Sequence, residues 1–308
     1  MADPVPAPDE PGFEWKVLAL QLFVVPAAIV VVCVLIFLAF GKMADDRRGA
    51  HELLAEIRRH DAATPWDANG RWYAALELPR AIEREREALN RDAAFCQSLA
   101  DLMADPAYPD PEIRSWMAIA MGKLGNPQAL PALVRGLAES GEERKRVRYA
   151  SAWALGALRA PEAVSDLAAT LATDPVSTVR KMAAYALGAI GTSEAAAALR
   201  KGLGDPVPEV RWTAAIWLAT RGDAAAEGPL GELMSNPPAD MGRERDPALA
   251  GAARAAGGLR SAKLKPILQR LLADPSAEIR TAAREGLAAY EHPEQAPTPP
   301  AQPTAPTR

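Results

Sequence analysis

The chain is 308 residues long, with a formal net charge of -4, 49% apolar residues and two cysteines. Charges of both signs are mixed along its length rather than gathered into a basic excess, which argues against a phosphate-reading surface and against nucleic acid as a partner. Cys33 sits in an apolar run and Cys96 far downstream of it, so no intramolecular disulfide framework is available.

Residues 1–16 carry Asp3, Asp9, Glu10 and Glu14 against Lys16, with Pro4, Pro6, Pro8 and Pro11 between them. Such a segment is too polar and Pro-rich to bury a core and reads as a disordered tail. From Val17 to Phe40 the sequence VLALQLFVVPAAIVVVCVLIFLAF contains no charge. As a helix it is about 36 Å long, enough to cross a hydrocarbon core of roughly 30 Å. Pro26 predicts a kink within it. A cleaved signal peptide would begin with basic residues and have a shorter apolar stretch of about 7–15 residues, so the run is read as a retained transmembrane helix. Lys16 stands alone before it, whereas Lys42, Arg47, Arg48, Arg58 and Arg59 follow it. The positive-inside tendency then places the amino terminus outside and the remainder in the cytoplasm.

Beyond the apolar run the chain repeats itself. The clearest units are DPEIRSWMAIAMGKLGN from Asp110, DPVSTVRKMAAYALGAIGT from Asp174, DPVPEVRWTAAIWLATRGD from Asp205 and DPSAEIRTAAREGLAAY from Asp274. Aligned on the Arg, weaker copies at RWYAALEL, VRYASAWALGAL and LAGAARAAGGL complete a series anchored on Arg71, Arg114, Arg148, Arg180, Arg211, Ala250 and Arg280. The period is just over 30 residues, that of a helical hairpin, with insertions at Asp61 to Asn69 and Ser235 to Arg245.

Each copy predicts two antiparallel helices. The first shows a stripe such as Ala129, Leu130, Leu133, Leu137 or Leu264, Ile267, Leu268, Leu271. The second opens with Asp as N-cap and Pro at its first position, then runs through Val179, Ala183, Ala186, Leu187 and Ile190. Gly125, Gly191 and Gly222 close several copies in the left-handed conformation. No hairpin can bury its stripe alone, so the copies must stack. The 291–308 segment EHPEQAPTPPAQPTAPTR again reads as a disordered tail, and the charged stretch from Glu83 to Glu87 as a solvated helix face.

These units resemble the bacterial HEAT repeats grouped with the phycobilisome-lyase-like family, whose signature is similar to D-P-x-V-R-x-x-A-A-x-A-L-G-x-I-G. The resemblance covers residues 49–290. It implies an all-α, right-handed α-solenoid of about seven HEAT-type hairpins, an armadillo-like superhelix, preceded here by one transmembrane helix. It also implies a bacterial source, and together with the apolar run and its flanking cations this leads to the expectation of a single-pass protein of the bacterial inner membrane. Pro79 in the first copy and Ala250 in the sixth depart from the pattern.

The repeated Arg lies in the first turns of its helix, where a cation opposes the helix dipole. An Asp six residues upstream, or its counterpart in the next repeat, is the expected partner. Positions one and five after the Arg share a helix face. They include Trp72, Tyr149, Trp153, Lys181, Tyr185, Trp212 and Ile216, which in related repeats line the concave surface. Two readings stand side by side: a groove binding an apolar or Pro-containing segment of a protein partner, and rings packed between adjacent repeats.

Enzyme signals are sparse. The three histidines are His51, His60 and His292. HEAT-type deoxyhypusine hydroxylases, as a family, place several His-Glu pairs around iron, whereas this chain has one such pair, His51 and Glu52, next to the apolar run. No nucleophile elbow or phosphate loop is present, and Cys96 reads as a core residue. The sequence therefore predicts a membrane-anchored scaffold or adaptor, not an enzyme, with no cofactor, metal or small-molecule substrate. The alternative is a HEAT-repeat enzyme or enzyme subunit of the bilin-lyase-like or hydroxylase-like type.

Overall fold

The computed structural model describes residues 30–32, 34, 48–59, 65–105 and 110–292. The chain divides into two units, Met1–Arg48 and Gly49–Arg308. In the first, Val30, Val31, Val32 and Val34 are helical and exposed. The rest of the apolar run from Val17 to Phe40 lies outside the described residues, as do the tail at 1–16 and the segment 293–308. Among the described residues no helix is long and apolar enough to cross a membrane.

In the second unit the described residues form helices and no strand. In chain order they are α1 (Ala50–Arg58), α2 (Pro65–Arg91), α3 (Ala93–Ala104), α4 (Pro111–Leu124), α5 (Leu130–Leu137), α6 (Lys145–Leu158), α7 (Val164–Thr173), α8 (Ser177–Ile190), α9 (Ser193–Gly202), α10 (Pro208–Ala219), α11 (Glu227–Ser235), α12 (Arg245–Leu259), α13 (Lys265–Leu271) and α14 (Ala277–Glu291). Odd and even helices pair as hairpins, and every anchor from Arg71 to Arg280 falls on an even one. Each even helix packs on the even helix of the following hairpin, so α2, α4, α6, α8, α10, α12 and α14 form a continuous row. This is a HEAT-repeat solenoid.

The apolar stripes face the core as their spacing requires. Leu133, Val179, Ala183, Ala186, Leu187 and Leu268 are fully buried, and Leu130, Ile190 and Ile267 are half-buried against them. Removing a side chain such as Leu133 from water contributes roughly 1.5–3 kcal/mol. Pro79 does not end its helix; α2 passes through it for 27 residues. Gly125 and Gly191 cap α4 and α8 with φ of 75° and 77°.

The Asp of the motif acts differently from a simple N-cap in three copies. Asp110 does cap α4, accepting from Glu112 N. Asp174, Asp205 and Asp274 instead stand ahead of their helices, each taking the N–H two residues on, from Val176, Val207 and Ser276. This Asx-type turn leaves the carboxylate available to the preceding repeat. Arg148 binds Asp174, with Nε 2.7 Å from Oδ2 and Nη2 3.2 Å from Oδ1. Arg180 binds Asp205 in the same way. Within its own repeat each Arg donates to the backbone carbonyl six residues upstream: Arg180 to Asp174, Arg211 to Asp205 and Arg280 to Asp274. The Asp main chain thus orients its own Arg while its side chain fastens the previous one. Each motif is a rivet between neighbours.

Candidate functional site

The even helices carry the residues singled out from the sequence. At the first register position after the anchor, Trp72, Tyr149 and Lys181 are half-buried and Trp212 is 4% exposed. At the fifth, Trp153 and Tyr185 are 4% and 8% exposed and Ile216 is half-buried. Trp153, Tyr185 and Trp212, expected as candidates for an open aromatic groove, are therefore core residues. For Trp153 a small residue of the preceding repeat makes room, its ring lying over Gly122, and the ring of Trp217 lies in the same way over Gly188. Tyr185 meets Trp217 edge-on, with ring centroids 5.2 Å apart. Trp72 meets Tyr73 in the same way at 5.1 Å.

The side chains left partly open at the centre of the row are Tyr149 on α6 and Lys181 on α8, and they share a neighbour from far along the chain. Glu244 Oε2 lies 3.4 Å from Lys181 Nζ. Burial first, and then the Glu244 carboxylate, push the Tyr149 phenol above its ordinary range. Glu244 belongs to the Ser235–Arg245 insertion, whose Met241 is half-buried against the hydrophobic core. The sequence showed the insertion as a lengthened repeat spacing; its position over Tyr149 and Lys181 carried no local signal. Tyr185 Oη on α8 and Trp212 Nε1 on α10 are among several buried polar atoms without a hydrogen-bond partner.

The other candidate chemistry disperses. His51 Nε2 lies 3.2 Å from Asp92 Oδ2 and its ring packs edge-on to Phe95, while His60 lies outside the described residues. Among the described residues no three His, Cys, Asp or Glu side chains are grouped so as to hold a metal ion, so the donor set does not fit an iron centre. Cys96 is buried, donates to Leu89 O and has its thiol pushed up by burial and then by Asp92. That is the behaviour of a packed thiol, not of an activated nucleophile.

A family model described as HEAT repeats matches residues 97–188 and 171–250. Among curated proteins the chain is 32% identical to deoxyhypusine hydroxylase of Gallus gallus over 145 residues, covering 45% of this chain and 47% of that one. It is 31% identical to deoxyhypusine hydroxylase of Mus musculus over 161 residues, covering 49% and 52%. The chain spans about half the length of these curated relatives. Among solved structures, the complex of CpcE and CpcF of phycocyanin lyase from Nostoc matches with a TM-score of 0.52 and 21% identity, over 81% of this chain and 91% of that one; this likeness concerns the fold alone. The expectation that the chain is not an enzyme is overturned, because the relatives that share its sequence carry an enzyme's name. The comparisons favour the enzyme or enzyme-subunit alternative over the membrane scaffold.

Proposed function

The chain belongs to the HEAT-repeat family, and on that premise we propose that it is a subunit of a polypeptide-modifying enzyme, in which the row of even helices holds the polypeptide to be modified. The observation that carries the enzyme reading is the identity above 30% to deoxyhypusine hydroxylases across half of the chain. The hydroxylase chemistry itself is not part of this proposal; among the described residues no side chains are grouped to hold a metal ion. The holding role is supported by the shape of the face: it runs past Tyr149, Lys181 and Ile216 on three successive even helices, an elongated surface suited to an extended chain rather than to a small molecule. In this reading Tyr149, Lys181, Ile216 and Trp72 touch the partner. Trp153, Tyr185 and Trp212 form the floor beneath. The apolar run from Val17 to Phe40 would tether the subunit to a bacterial inner membrane with the array in the cytoplasm, a placement checked by a carboxyl-terminal alkaline phosphatase fusion, which should be inactive.

The test is photo-crosslinking from a photoreactive residue at position 149 in cells, followed by intact-mass measurement of the captured polypeptide in cells with and without this chain. A covalent mass difference on that polypeptide is expected. An unchanged mass would remove the enzyme reading.

A further inference from the structure

We infer that the insertion between α11 and α12 is a resident occupant of the even-helix face, and that the face accepts in its place a partner segment whose tight turn carries an apolar side chain three residues before a carboxylate, as the 3-10 turn Gly242–Glu244 does after Met241. The inference rests on the reading that this face holds a polypeptide. Three observations carry it.

The insertion is long enough. The roughly ten residues from Ser235 to Arg245 can span about 30 Å when extended, and helices in neighbouring repeats pack about 8–10 Å apart, so the segment can cross two to three repeats. Glu244, between the two helices of the sixth hairpin, pairs with Lys181 of the fourth, and its carboxylate adds to the upward push on the Tyr149 phenol of the third.

The contact has the form of a ligand's contact. Met241 is half-buried against the core, and Glu244, three residues on, meets a cation. An apolar anchor beside a carboxylate is the pairing that an apolar ledge with one lysine selects.

The contact is also weak. The Glu244 side chain is 70% exposed and Lys181 31% exposed, and an ion pair so open to water is screened and contributes little. Gly242 adopts a φ of 53°, a conformation open to glycine, at the start of the short 3-10 turn Gly242–Glu244 that separates Met241 from Glu244. A segment held this way can be displaced without unfolding the array.

The probe is a fluorescein-labelled peptide of residues 236–246, titrated by anisotropy against three forms of the protein: the full chain, a chain in which residues 237–243 are replaced by Gly-Ser-Gly, and the full chain with Glu244→Lys. The shortened form should bind the peptide at least tenfold more tightly than the unaltered chain, and the Glu244→Lys form up to about fivefold more tightly. Adding Lys181→Glu to the shortened form should weaken binding by up to about fivefold, and Met241→Ser in the peptide should remove most of the remaining gain. Circular dichroism melts establish that each variant is folded, and the Glu244→Lys form tests the idea even where the shortened one does not fold. Equal binding to all three forms overturns the occlusion while leaving the polypeptide-holding face in place. Binding to none of them overturns both.

Discussion

Arg245 Nη2 lies 2.7 Å from Asp274 Oδ2, and with this contact an arginine outside the repeat register does the work of one missing from it. Elsewhere the carboxylate ahead of an even helix is met by the anchor arginine of the previous repeat, as in Arg148 with Asp174 and Arg180 with Asp205. The sixth repeat has Ala250 at its anchor. Arg245, five residues earlier at the start of α12, reaches the same place.

The pairing makes the array sensitive to acid. The Arg245 hydrogen bond, set against the opposing effect of burial and helped by Ser276 N–H, holds the Asp274 carboxyl below its ordinary range. At Asp205 burial pushes upward, but the hydrogen bonds from Arg180 and Val207 outweigh it and the carboxyl is again lowered. A carboxyl with a depressed folded-state pKa contributes stability that is present above its unfolded value, about 3.9, and is lost as pH falls through the folded value. The melting temperature should therefore be level near neutrality and fall below about pH 4. Asp274→Asn should lower it at pH 7 and flatten the acid limb. An identical acid limb in wild type and Asp274→Asn would show that this pair does not contribute.

The Arg148–Asp174 pair is the test of the rivet itself. Both side chains are 5% exposed, and Arg148 Nη1 also donates to Gly141 O at 2.7 Å and Glu139 O at 3.3 Å. Arg148→Ala leaves a carboxylate buried without its cation and should cost about 3–5 kcal/mol in urea denaturation. Arg148→Lys should recover only part of this, because an ammonium cannot make the two-pronged contact. Arg200→Ala, which removes an arginine 55% exposed in its pair with Asp223, should cost less than about 1 kcal/mol. Equal costs for Arg148→Ala and Arg200→Ala would mean that burial is not what gives the rivet its strength.

The hairpins were legible because their signals are local. Asp-Pro, an Arg, an Ala and Leu stripe and a closing Gly all fall within one helix, and each of the seven anchors lies on an even helix. Two departures misled only in detail: Pro79 is carried inside α2, and Ala250 is compensated by Arg245. What could not be read was anything that depends on the facing repeat. Trp153, Tyr185 and Trp212 have the spacing of a surface face, yet they are buried, and where the cause is visible it lies about 30 positions away: Trp153 over Gly122, and Tyr185 against Trp217. The Glu244 to Lys181 contact lies further still, across two repeats, and a lengthened spacing says that residues are inserted without saying where they go.

The glycines that admit those rings should not tolerate a methyl group. A Cβ at Gly188 would overlap the Trp217 ring, which in turn packs on Tyr185. Gly188→Ala should destabilise by about 1–3 kcal/mol, as overpacked cores do, and should change the tryptophan emission. Gly257→Ala should cost more, since the added atom meets the backbone of Gly286 rather than a movable side chain. Gly228 has open space around it, so Gly228→Ala should be neutral or gain up to about 1 kcal/mol from lower backbone entropy. Chemical denaturation of the three variants gives the ranking, and a neutral Gly188→Ala would rule out the close joint.

The helix ends offer a stabilising change. Gly125 and Gly191 end α4 and α8 in the left-handed region, but α6 and α12 end on Arg159 and Arg260, both at φ 50°. An L-residue with a side chain held there costs about 1–2 kcal/mol. Arg159→Gly should accordingly raise stability by about 1 kcal/mol, somewhat less than the strain relieved because glycine also frees the unfolded chain. Arg260→Gly should gain less, because it gives up the hydrogen bond from Arg260 Nε to Tyr290 O at 3.3 Å, a contact between the last two even helices. Thermal melts should thus rank Arg159→Gly above Arg260→Gly, with Arg159→Gly above wild type. A lower melting temperature for Arg159→Gly would show that its side chain contributes more through its surroundings, Tyr185 among them, than the left-handed backbone costs.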